Sequence, residues 1–108
     1  MLGIKVAIVR YIGDEPQPGI VECQFEDAHG HRWSFVEKTA IVSKENLDAK
    51  ATYPQEGVVA CEMLQRSLDA TGRETIRVDT ERPSHIESVE GETKFDVLPE
   101  SLIEFNWH

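Results

Sequence analysis

The chain of 108 residues lacks the sequence features of membrane-spanning, secreted and disulfide-rich proteins. It has no run of about 18 apolar residues, the length that a helix needs to cross a bilayer. Its first residues contain no basic segment followed by an apolar run and a small-residue cleavage site, so we expect a cytoplasmic location. It has only two cysteines, Cys23 and Cys61, which we expect to be free thiols in the core.

Positive charge is also scarce. The sequence has 11 Lys and Arg against 20 Asp and Glu, which gives a formal net charge of −9. Residues 55–108 contribute five basic and twelve acidic side chains, a net of −7. Because no basic stripe is present to neutralise phosphates, this composition excludes nucleic acid as an expected partner. The acidic half is either a solvated, solubilising surface or a face that docks a basic protein partner.

The chain contains none of the short motifs that mark common catalytic or cofactor sites. It lacks the Gly-x-Ser-x-Gly elbow, the phosphate loop, the dinucleotide fingerprint and the His-Glu-x-x-His zinc motif. The spacing from Cys23 to His29 and His31 matches no strong zinc pattern. We therefore assign no catalytic residue, no metal ligand and no cofactor, and the motifs identify no named family.

An imperfect internal repeat is the clearest pattern that is present. Residues 16–23 read Pro-Gln-Pro-Gly-Ile-Val-Glu-Cys, and residues 54–61 read Pro-Gln-Glu-Gly-Val-Val-Ala-Cys. Each copy continues to Asp-Ala-x-Gly, a sequence typical of hairpin turns. The pattern predicts two related hairpins at residues 16–38 and 54–80, with a third, shorter one turning at Glu90-Gly91.

Apolar residues alternate with polar ones through most of the remaining chain, which predicts strands. Residues 39–42 extend a strand in this interpretation, and Pro99 begins a short helical turn near the C-terminus. The fold predicted is all-β: a single domain over residues 1–108, forming a small closed or partly open β-barrel of about six to eight strands. The aromatic end, Phe105-Asn106-Trp107-His108, is expected to pack back onto the barrel, with a surface for self-association or a partner as the alternative.

The leading functional hypothesis is a small cytoplasmic, non-enzymatic protein-interaction domain, in one version an immunity or inhibitor protein. Its candidate binding residues are Glu87, Glu90 and Glu92 in the acidic half, and Tyr53 with Pro54 in a proline-bearing loop. The sequence leaves the oligomeric state open.

The alternative is a small-molecule-binding or enzymatic barrel with its site near His29, His31 and Trp33. The two hypotheses predict different interiors. Solid packing by Trp33, Phe35, Val59 and Met63 favours an interaction domain, whereas a cavity lined by histidine and carboxylates favours chemistry.

Overall fold

The computed structural model describes residues 1–14 and 19–107, which form two antiparallel sheets and one short helix. The prediction of an all-β chain is confirmed. The described ranges contain eight strands, a helix of one turn and a 3-10 turn at Pro99–Ser101, where a helical turn was predicted. The elements are β1 Leu2–Gly13, β2 Ile20–Glu26, β3 Arg32–Lys38, α1 Thr39–Val42, β4 Gln55–Ala60, β5 Glu62–Leu68, β6 Glu74–Asp79, β7 Lys94–Val97 and β8 Leu102–Glu104.

The first sheet, sheet A, is organised around β1. Its strand order is β3-β2-β1-β4, and β8 also pairs with β1. β4 pairs with β1 over Gly3–Ile8, whereas β2 and β8 pair with different lengths of it, over Ala7–Gly13 and Leu2–Ile4. A β-branched strand with apolar residues on both faces suits this central place.

Two bulges in β1 explain why its apolar residues do not follow one parity. The register with β2 shifts between Ile8 and Arg10 and again between Tyr11 and Gly13. A bulge adds one residue to a strand and so changes which parity faces the core. Ile8 is fully buried and Tyr11 packs against the same core, although one has an even number and the other an odd number.

The second sheet, sheet B, has the order β5-β6-β7. The chain enters it through Cys61, whose backbone N–H donates to the Leu2 carbonyl at 3.0 Å. Phe95 of β7 joins the two sheets, because its ring contacts three aromatic rings of β2 and β3. The centroid distances are 5.3 Å to Phe25, 5.8 Å to Phe35 and 5.1 Å to Trp33, all in edge-on geometry.

Neither sheet closes into a barrel within the described ranges. Besides the Cys61–Leu2 bond, two backbone bonds link connecting segments of one sheet to a strand of the other. The Ala28 N–H donates to the Asp96 carbonyl and the Val89 N–H to the Ser34 carbonyl, each at 2.8 Å. The architecture is thus two sheets packed on a shared aromatic core and linked by single backbone bonds.

The second repeat copy is not the single hairpin that was predicted. Its first strand is β4 in sheet A, and the chain then bends at Cys61 to form the β5–β6 hairpin of sheet B. Alternation through Val59, Cys61 and Met63 predicts that Met63 faces the core, but on the edge strand β5 it is 39% exposed, so that prediction was wrong. Phe35 and Val59 are fully buried, and Trp33 is half-buried.

The Asp-Ala-x-Gly segments of the two copies form turns with the same hydrogen bonds. One carboxylate oxygen of Asp27 accepts from the His29 and His31 N–H groups, and one of Asp69 accepts from Thr71 and Arg73, all at 2.9 Å. Each turn ends on a glycine with φ near +80°. A two-residue turn was predicted at Glu90-Gly91, but the turn there is longer and resembles the two Asp-Ala-x-Gly turns. The Ser88 N–H donates to the Glu92 carbonyl, and the Glu92 N–H donates to the Ser88 hydroxyl oxygen.

The C-terminal segment packs back on sheet A, as predicted. Phe105 and Trp107 cover Val58 and Ala60 on the face of the sheet that points away from sheet B. Their ring centroids are 5.0 Å apart. The other local correction is at Thr39–Val42, which forms the single turn α1 instead of extending a strand.

Gly57 tests the packing of α1 against β4. A Cβ atom at this position would lie 2.8 Å from the Ile8 side chain and 2.9 Å from the Val42 carbonyl oxygen. We expect Gly57→Ala to destabilise the protein by about 1–3 kcal/mol through overpacking. The matched control is Gly13→Ala, because no atom lies within 4 Å of its Cβ position. Chemical denaturation of both variants measures the difference, and equal stabilities would contradict this packing.

The two free thiols are expected to be unreactive in the folded protein. Cys23 and Cys61 are buried, and burial raises the pKa of each to about 12, so the nucleophilic thiolate is scarce. A thiol reagent at mild alkaline pH should label neither until denaturant is added. Val89→Cys, at a position 65% exposed, supplies a thiol that reacts at once. Labelling of the native thiols as fast as that control would contradict their burial.

Candidate functional site

The acidic segment at residues 80–93 connects β6 to β7 and is held on both sides by hydrogen bonds. The Thr80 hydroxyl donates to the Ile86 carbonyl at 2.7 Å, and the Thr80 N–H donates to the Thr93 carbonyl at 2.8 Å. Ile86 is fully buried in the main core. The Val89 N–H bond to Ser34 then places the segment beside β3. Its carboxylates therefore lie on a loop of defined conformation.

A shallow groove of about 290 Å³ runs along this segment. Glu81 and Glu87 line it together with His85, Ile86, Gly91 and Thr93. His85 has a left-handed backbone (φ 55°), and its N–H donates to the Glu81 carbonyl at 2.7 Å. The groove is therefore lined by two carboxylates and one imidazole, with the buried Ile86 beneath.

Glu37 adds a carboxylate next to this groove. It lies on β3 opposite Val21 of β2, so its side chain shares the core-facing side of the strand with Phe35 and Trp33. Burial raises the pKa of the Glu37 carboxyl, the charge of Lys38 opposes this effect, and the charge of Glu87 makes a smaller contribution that raises the pKa. Glu37 is thus a half-buried acid that is influenced by a second acid.

We call the group formed by Glu37, Glu81, Glu87 and Glu90 the acidic face. Within residues 1–14 and 19–107, no lysine or arginine forms an ion pair with any of the four. Their closest charged contact is that of Glu90, whose carboxylate lies 3.9 Å from the His31 ring nitrogen Nε2. In the described part of the chain, the face thus presents negative charge that no lysine or arginine ion pair neutralises, with Lys38 and His31 as its cationic neighbours.

The other predicted binding residues have different surroundings. One carboxylate oxygen of Glu92 accepts from the backbone N–H groups of Thr93 and Lys94, at 3.2 and 3.1 Å, and so supports its own turn. Tyr53 is half-buried against the main core, and its hydroxyl donates to the Asp48 carbonyl at 2.8 Å. Burial raises the pKa of Tyr53. A contact role for these residues stays a prediction.

Pro54 lies at a second groove, of about 1010 Å³, on the face of sheet A that the C-terminal segment partly covers. Lysine and glutamate side chains both line it, so its charge does not select one kind of occupant. The lining residues are Lys5, Val6, Ala7, Ser43, Lys44, Glu45, Thr52, Pro54, Gln55, Glu56, Gly57, Val58, Ile103 and Trp107.

The residues of the alternative hypothesis lie close together but are occupied by contacts with each other and with sheet B. The Trp33 indole N–H donates to the Asp27 carboxylate at 2.8 Å, and the His31 ring lies 4.2 Å from the Trp33 ring. His29 bonds to the Asp96 carboxylate at 3.0 Å. Neither groove described above is lined by these side chains. Their arrangement is that of a junction between the sheets.

In the part of the chain that the structure describes, no group of three or more His, Cys, Asp or Glu side chains is arranged to hold a metal ion. None of its helices has the length and apolar character needed to cross a membrane.

No protein-family model, curated protein or solved structure matches this chain. Geometry and charge therefore carry the functional argument. Sequence reasoning missed Glu37, the residue that distinguishes the acidic face from an ordinary charged surface. The sequence contained a signal for it: Glu37 follows Trp33 and Phe35 at every second position of β3, so its side chain is expected on the same, core-facing side of the strand.

Glu37 gives a stability prediction whose size depends on pH. Because its folded-state pKa is raised, the stability associated with its protonated form is present at low pH and is lost as pH rises through that pKa. Glu37→Gln removes the charge, so we expect a higher Tm than wild type at pH 7 and a smaller difference near pH 4. Thermal unfolding at both values measures this. A Tm that falls at pH 7 would show that the charge of Glu37 is already compensated.

Proposed function

We propose that this chain is a non-enzymatic protein-interaction domain of the cytoplasm, and that its acidic face binds a basic segment of a partner protein. The half-buried Glu37 carboxyl, whose pKa is raised by burial and further by Glu87, is the observation that supports this function most strongly. Two carboxylates near each other, one of them half-buried, have an unfavourable interaction that a cation between them would offset.

An arginine side chain suits this site on chemical grounds. Its planar guanidinium has five N–H donors and can bond to more than one carboxylate at once. The groove lined by Glu81 and Glu87 provides space for such a side chain next to two carboxylates.

The net charge of the chain supports the same kind of partner. A charge of −9 accelerates the approach of a basic protein and disfavours acidic ones. An inhibitor or immunity protein that neutralises a basic toxin is one form of this function. In that form the domain acts by covering its target and needs no catalytic group.

Neutralising two carboxylates of the acidic face tests the proposal. Calorimetric titration of the full chain with a capped oligo-arginine peptide measures the affinity. We expect the double variant Glu37→Gln, Glu87→Gln to bind about tenfold more weakly than wild type, a loss of about 1.4 kcal/mol. The reason is that it removes the two carboxylates that the guanidinium would bridge.

The control changes the net charge equally at another place. Glu45→Gln, Glu56→Gln neutralises two carboxylates of the larger groove, and we expect its affinity to stay within about twofold of wild type, as for distant surface charges. If both double variants bound the peptide equally weakly, the affinity would depend only on the net charge of the chain and not on the acidic face. That result, or a wild-type chain that does not bind the peptide, would contradict the proposal.

A further inference from the structure

Two exposed histidines lie among the carboxylates of the acidic face, and the function proposed above uses neither. His85 lines the groove together with Glu81 and Glu87. The Nε2 atom of His31 lies 3.9 Å from the Glu90 carboxylate. Histidine is the side chain whose charge ordinarily changes between pH 5 and pH 8. The net charge at this face therefore depends on pH.

The backbone of His85 places its side chain in the groove. Within residues 1–14 and 19–107, it is the one residue other than glycine with a positive φ, 55°. Its N–H donates to the Glu81 carbonyl at 2.7 Å. Glu81 and Glu87 are the charged side chains that line the groove beside it, and Arg82, the nearest cation in the sequence, does not line it. A proton on His85 would thus lie near two carboxylates.

His31 is held next to Glu90 by its other contacts. Its ring lies 4.2 Å from the Trp33 ring, and its N–H donates to the Asp27 carboxylate at 2.9 Å. That carboxylate also accepts from the Trp33 indole at 2.8 Å. Arg32 follows in the chain, and because side chains alternate along a strand it lies on the other side of β3 from Trp33. Glu90 is therefore the carboxylate with which a protonated His31 would pair.

We propose that protonation of His31 and His85 releases a basic partner from the acidic face, so that the face binds near pH 8 and loses affinity toward pH 5.5. This inference rests on the function proposed above. A neutral imidazole has one ring nitrogen that can accept a hydrogen bond from a guanidinium, whereas a protonated imidazole has only donors. The protonated rings would also repel a bound cation and compete with it for the carboxylates.

Glu37 changes the affinity in the same direction as the histidines. Because its pKa is raised, Glu37 loses its negative charge at a higher pH than an exposed glutamate does. That loss would also weaken the binding of a cation. The experiment therefore changes the histidines and leaves Glu37 in place.

Calorimetric titration of the full chain with the capped oligo-arginine peptide, at pH 8 and at pH 5.5, tests the proposal. We expect the wild type to bind about tenfold more weakly at pH 5.5, because two positive charges are added close to the bound cation. In the double variant His31→Gln, His85→Asn, the ratio between the two pH values should fall to about twofold, the part that Glu37 supplies. Asn is chosen at position 85 because it tolerates a left-handed backbone.

The matched control is His29→Gln. It removes a third exposed imidazole, whose contact is with the Asp96 carboxylate at 3.0 Å and not with the acidic face. We expect it to keep the pH dependence of the wild type. Affinity that falls equally in the wild type and in the double variant, or that does not fall in the wild type, would overturn this inference alone. A wild-type chain that binds the peptide at neither pH would overturn the proposed function as well.

Proton release on binding gives a second readout. Because binding and protonation oppose each other, the peptide should displace protons from the two imidazoles at pH 6.5. Calorimetry in two buffers of different ionisation enthalpy measures the number of protons released. The wild type and His29→Gln should release more protons than the double variant does. Binding at pH 6.5 without proton release would overturn the inference.

Discussion

The packing of Phe95 against the aromatic side chains of β2 and β3 is the contact on which the other features depend. The two sheets are not closed by a continuous ladder, so side-chain packing must hold them together. Phe95 lies at the centre of that packing and contacts Phe25, Phe35 and Trp33. Aromatic pairs of this geometry contribute about 0.5–1.5 kcal/mol each beyond the area that they bury.

The position of β7 in turn determines where the acidic segment lies. Residues 80–93 return from β6 to β7, and the bond from Val89 to Ser34 holds them along β3. As a consequence Glu87 lies near Glu37, a residue that belongs to the other sheet. The acidic face is therefore assembled from both sheets, and the same contacts that join the sheets bring its like charges together.

Sequence patterns were sufficient for the parts of the fold that local rules control. Alternation identified the strands, and the turn residues located both Asp-Ala-x-Gly turns. Sequence patterns did not predict the features that tertiary contacts determine, such as which strand lies at an edge and which residues meet across the sheets. Met63 is apolar and has the right parity for a core, but its strand became an edge when the chain bent at Cys61. Alternation along β3 places Glu37 on the core-facing side, but the sequence does not show which acid lies near it, because Glu87 is fifty residues away.

The charge state of Glu37 tests this account most directly. An NMR titration of its carboxyl, alone and with saturating oligo-arginine peptide, reports on both the neighbouring acid and the bound cation. The account predicts a pKa above that of a solvent-exposed glutamate, which falls when Glu87 is replaced by Gln and also when the peptide binds. A Glu37 that titrates as an exposed residue, or whose pKa neither change moves, would contradict it.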